Sequence, residues 1–105
     1  MISEKTLRPL IEHELAEANK VNPPFSSNHE AAAVLYEEVE EAYEDIQAVL
    51  NGFGAFWQRT RSDACTIPAA EEIYKNATHL IAEAIQIAAM ALKAMEVKGN
   101  DREIL

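Results

Sequence analysis

Six of the nine residues from Glu37 to Asp45 are acidic (Glu37, Glu38, Glu40, Glu41, Glu44 and Asp45), and no Lys or Arg occurs between Val21 and Gln58. On a helix, Glu38 and Glu41 are i,i+3 neighbours and Glu37 and Glu41 are i,i+4 neighbours, so their carboxylates converge. Each like-charged pair costs a helix about 0.2–0.5 kcal/mol, and no basic residue in the stretch offsets it. A divalent cation would relieve that repulsion. Hard cations such as Mg²⁺, or Mn²⁺ in its place, take oxygen ligands together with waters and substrate phosphates. The plain alternative is a solvated acidic face that serves solubility.

A second stretch bears on that choice. From Leu80 to Leu92 the chain is apolar except for Glu83 and Gln86, again three residues apart. Such a helix is buried on most sides, and an ionised carboxylate within it needs a counter-charge or a metal. Glu38 and Glu41 from one helix and Glu83 and Gln86 from another, with Glu37 as a further ligand, form the donor set of a metal site in a bundle core.

Three helices must position these groups. Leu7, Leu10, Ile11, Leu15 and Ala18 recur at helical spacing from Ser3 to Lys20. Pro9 fits the first turn, which sets the expected start between Lys5 and Arg8. His13 reads as a half-buried surface histidine. Asn22-Pro23-Pro24 ends the element. Ser27 and Glu30 form a capping box that opens a second helix, with Asn51-Gly52 as its expected stop after about 25 residues. Phe53 to Ile67, holding Phe56, Trp57, Arg59 and Arg61, reads as a loop with at most one helical turn. There Trp57 could stack on a base while an arginine meets phosphate, or it could simply close the end of a bundle. The last helix opens at Thr66-Ile67-Pro68, with Glu71 and Glu72 placed to favour its dipole. It is expected to run about 30 residues, close to Gly99, and its alanines 82, 84, 88, 89 and 91 would admit a close neighbour, as at a dimer interface.

The totals fit this picture. A chain of 105 residues with 49% apolar residues, 3 glycines and 4 prolines suits one all-α domain, a bundle of three main helices whose core is completed by pairing. The net charge of −9 argues against nucleic-acid and anionic-membrane surfaces, while free nucleotides stay open through a metal. The single cysteine, Cys65, permits no internal disulfide and no thiolate zinc site of the usual kind. The N-terminus predicts neither a signal peptide nor a membrane span, hence a cytoplasmic protein.

The sequence resembles the MazG-like, all-α nucleoside triphosphate pyrophosphohydrolases, including small phage and prophage members. Their E-E-x-x-E and later E-x-x-D read here Glu37-Glu38-Val39-Glu40-Glu41 and Glu83-Ala84-Ile85-Gln86, with Gln86 in place of the Asp. The resemblance runs from Ser27 to about Met95. It implies one MazG-like helical domain over residues 1–105 and a homodimer or dimer of dimers with a four-helix-bundle-like arrangement. It also implies Mg²⁺-dependent cleavage of a nucleoside triphosphate to monophosphate and pyrophosphate. Glu37, Glu38, Glu41, Glu83 and Gln86 would be the metal set, with Glu38 or Glu41 as base. Trp57, Phe56, Arg59, Lys75 and Lys93 would contact substrate, the cations otherwise being ordinary surface charges. His79, one turn before Glu83, would orient a carboxylate or a water, or serve as a structural histidine. Two rivals stand beside this reading: a degenerate member that binds nucleotide or metal without turnover, and a structural helical module in which Glu83 pairs with His79 or Lys75.

Overall fold

The computed structural model describes residues 1–99. These form three helices, α1 (Glu4–Val21), α2 (Asn28–Arg61) and α3 (Ile67–Ala94), and no strand occurs among the described residues. The all-α class expected from composition is therefore correct.

Ser3 caps α1, its hydroxyl accepting the Thr6 N–H at 3.3 Å. The helix thus starts earlier than the Lys5–Arg8 window that Pro9 suggested. Pro9 stands in the second turn and forfeits the bond its N–H would give to the Lys5 carbonyl. At the start of α2, the Glu30 N–H donates to the Ser27 hydroxyl at 3.1 Å as the capping box requires. The Glu30 carboxylate, however, accepts from the Ser26 N–H at 3.0 Å, one residue earlier than the motif predicts.

The largest departure is the end of α2. Asn51-Gly52 does not stop it: the helix continues through Phe53, Phe56 and Trp57 to Arg61, 34 residues in all. Gly52 is buried, and a β-carbon there would lie 2.8 Å from Cγ1 of Ile73 on α3. This glycine serves close helix approach rather than termination. The stop lies at Asp63, whose φ of 54° is left-handed. The Ala64 N–H reaches the Arg59 carbonyl at 2.8 Å and the Asp63 N–H reaches Thr60 at 3.2 Å, the paired bonds of a Schellman ending with Asp63 where glycine is usual. The α3 start agrees with expectation, the Thr66 carbonyl accepting the Ala70 N–H at 2.9 Å. Glu71 and Glu72 fall beyond its first turn, so their dipole benefit is smaller than expected. The helix ends at Ala94 after 28 residues, before Gly99.

The chain divides into two compact units, Met1–Val39 with the chain from Ile85 onward, and Glu40–Ala84. In the second unit α2 and α3 run antiparallel, since Gly52 meets Ile73 while Asp45 reaches His79. In the first unit α1 buries none of its own residues, and the buried apolar groups are Ala31, Ala89, Met90 and Val97.

Along α2 two seven-residue repeats run side by side, one position apart. Ala31, Leu35, Glu38, Ala42, Asp45, Val49, Gly52 and Phe56 alternate steps of four and three and are all buried or half-buried. Tyr36, Val39, Tyr43, Ile46, Leu50, Phe53 and Trp57 follow the same rhythm, and each is 44–66% exposed. The inner repeat gives three places to Ala31, Ala42 and Gly52 and two to acids, leaving only Leu35, Val49 and Phe56 as larger apolar groups. The outer one carries the large apolar side chains, which is why no large side chain is fully buried among the described residues.

The two α2 glycines should respond oppositely to alanine. Gly52→Ala overpacks against a stiff β-branched neighbour and should destabilise by about 1 kcal/mol or more, net of its helix-propensity gain. Gly54 has nothing within 4 Å of its would-be β-carbon, so Gly54→Ala should stabilise by about 0.5–1 kcal/mol. Thermal and urea unfolding followed by circular dichroism separates the two; equal responses would contradict the close approach at Gly52.

Candidate metal centre

Glu83 sits on the inward side of α3 and is 8% exposed, as its isolation in an apolar run demanded. Glu41 stands on α2 in the same unit, and their carboxylates offer oxygens within 4.8 Å of one another. One turn before Glu41 on the same helix, Glu38 offers an oxygen within 4.8 Å of Glu41's. Glu38 is half-buried and Glu41 exposed, so the set grades from shielded to open. Opposite ligands of one Mg²⁺ are about 4 Å apart, so the spacing of the Glu41 and Glu83 oxygens is near that of two ligands of one ion. Three carboxylates without sulfur or imidazole suit Mg²⁺ or Mn²⁺ rather than zinc.

A neighbouring pair completes the electrostatics. The His79 Nδ1 lies 2.8 Å from Oδ2 of Asp45, one turn beyond Glu41 on α2. The Asp45 carboxylate, first through this hydrogen bond and then through its charge, raises the His79 pKa above its ordinary value of 6.5. Slight desolvation opposes the rise, while the charges of Glu83 and Glu41 add to it. Asp45 is absent from the site read in the sequence. Its signal was present, because it lies four residues after Glu41 on the same side of the helix.

The remaining expected site residues distribute unevenly. Glu37 is exposed, and Gln86 is half-buried one turn after Glu83 on α3. Trp57 is 51% exposed and Phe56 half-buried, both on the helix that replaces the expected loop. Lys75 and Arg61 are exposed, and Arg59 reaches back to the Cys65 carbonyl at 3.4 Å. Lys93 is not a surface cation: it is 3% exposed, with its ammonium 4.8 Å above the Phe25 ring.

No protein-family model, curated protein or solved structure matches the chain. No described helix is long and apolar enough to cross a membrane.

The His79–Asp45 pair gives a pH dependence of defined sign. A histidine with a raised folded pKa contributes stability that is full below its unfolded value of 6.5 and is lost as pH rises through the folded pKa. Thermal stability in EDTA should therefore fall as the pH is raised from below 6.5 past that point, and His79→Gln should flatten the change. A wild-type curve as flat as the variant's would remove the pair from the energetics.

Proposed function

We propose that this protein is a Mg²⁺-dependent nucleotide pyrophosphohydrolase of the MazG-like all-α type. The acidic set of Glu38, Glu41 and Glu83 carries the reading. A shielded Glu83 beside an open Glu41 is a poor design for a merely solvated face, since burying Glu83 costs free energy that a surface position would avoid. Mg²⁺ held there supplies neutralisation of the triphosphate and a lowered water pKa. Glu38 and Glu83 are the holding ligands, with Glu37 and the neutral Gln86 as auxiliaries. Glu41, open to solvent, would take the proton of a water that attacks the α-phosphorus, the bridging P–O bond breaking and pyrophosphate leaving. His79, whose pKa its Asp45 contact raises, balances the acidic surroundings when protonated. Exposed Arg59, Arg61 and Lys75 serve the outer phosphates.

The enzyme acts as a homodimer through the outer repeat of α2. Seven exposed apolar residues in strict seven-residue rhythm are the seam of a helix pair that lacks its second strand. Ile67, Tyr74 and Ile81 repeat the same interval on α3, each at least 59% exposed. Acids dominate the first half of α2 and its only Lys or Arg residues, Arg59 and Arg61, end it, so an antiparallel partner brings opposite charges together. Trp57 then belongs to the interface rather than to the substrate.

Incubation with ribo- and deoxyribonucleoside triphosphates in Mg²⁺ should release monophosphate and pyrophosphate, with no release in EDTA. Glu41→Gln should lower turnover by about 10²–10⁴-fold. In the same samples Mg²⁺ should lower the His79 pKa seen by NMR, because it cancels the Glu41 and Glu83 charges that help raise it. A pKa shift without turnover would leave a metal-binding member made inactive by Gln86, and no shift at all would sink the metal reading. For the dimer, light scattering should find a wild-type dimer and a helical Ile46→Glu monomer; a wild type that is already monomeric at tens of micromolar would overturn the pairing.

A further inference from the structure

The first unit encloses a second feature that the acidic set does not use. A cavity of about 290 Å³ is lined by Phe25, Met90, Asn22, Glu30 and Lys93 among others. This is at the small end of ligand pockets, about the size for one ring system rather than a whole nucleotide. Phe25 and Met90 form apolar walls. The ammonium of Lys93 is held over Phe25 and, among the described residues, has no carboxylate within 4.0 Å. A cation withdrawn this far from water calls for an acceptor. Glu30, an exposed residue, also lines the cavity, and one oxygen of its carboxylate takes the Ser26 N–H. An anion is therefore opposed by Glu30 and a cation by Lys93. The occupant that satisfies both is neutral and planar, with a carbonyl oxygen for the ammonium and an N–H for the carboxylate.

We propose that the Phe25–Lys93 cavity is the base pocket of this protein and takes a nucleobase that carries a carbonyl beside an N–H donor. Guanine and uracil or thymine carry that edge; in cytosine the ring nitrogen beside the carbonyl is an acceptor. Adenine has no carbonyl and is the disfavoured base, in keeping with the preference of lysine for keto oxygens and of carboxylates for base N–H groups. The identity of the ring as a nucleobase rests on the nucleotide reading above. The pocket chemistry itself does not, and it assigns Lys93 to the base rather than to phosphate.

The test uses nucleosides, which lack phosphate, in EDTA, so that it is independent of metal and turnover. With the methionine methyls labelled, uridine or guanosine should shift the Met90 signal saturably, at least tenfold more tightly than adenosine. Lys93→Met keeps the chain length and suits a buried apolar wall, and it should weaken that binding at least tenfold with unchanged helicity. Should the variant not fold, the wild-type Met90 titrations decide alone. Adenosine binding as tightly as the keto nucleosides, or no Met90 shift with any nucleoside at millimolar concentration, overturns the pocket even if pyrophosphate release is found. Saturable, keto-selective shifts uphold it even if no hydrolysis is found.

Discussion

The close approach of α2 and α3 at Gly52 and Ile73 sets the register on which the second unit depends. From that crossing the helices run antiparallel, so steps back along α2 match steps forward along α3. Seven residues before Gly52 stands Asp45 and six after Ile73 stands His79; four further on each side come Glu41 and Glu83. At 1.5 Å per residue these contacts are spaced by about one and two turns, so one contact without a side chain positions two charged ones. A bulkier residue at position 52 would push the backbones apart where the acidic set requires them near.

The one-residue offset between the two repeats of α2 explains how a chain of this size can hold a buried acid. The inner repeat gives two of its places to Glu38 and Asp45 and others to Ala31, Ala42 and Gly52, so little apolar area is gained there. The large side chains lie one position round the helix, where a second copy would cover them. Polar groups at seam positions reduce stability and specify register, and here they place Glu38 beside the acid Glu41 and Asp45 beside His79. Stability would then depend on protein concentration, as for dimers whose folded monomer is weak.

Much of this was legible in the sequence because it rests on local rules. The helical spacing of Leu7 to Ala18, the Ser27–Glu30 cap, Thr66 before Pro68 and the isolation of Glu83 each carry their meaning within a few residues. What was illegible depends on partners distant in the chain. Asn51-Gly52 has the composition of a stop, and only Ile73, 21 positions on, shows why the glycine is there. Asp63 ends the helix in a left-handed conformation that favours glycine, so composition gave no warning. Lys93 looked like a surface cation because Phe25 lies in a different segment, and Asp45 was passed over although its spacing from Glu41 was plain. The reading of Phe53 to Ile67 as a loop failed because aromatic residues between glycines were taken for irregular chain, when they continue an exposed helical repeat.

Helix α1 buries none of its residues, and Pro9 interrupts its ladder of bonds in the second turn. Its Glu4–Arg8 and Arg8–Glu12 pairs are solvent-exposed and add little. With no buried residue, it stands at the low-stability end from which local opening is drawn. Its last residues, Ala18 with the following Asn22, wall the Phe25–Lys93 cavity. Fraying of that weak helix therefore also loosens one wall of the cavity, and amide exchange along α1 reads out both.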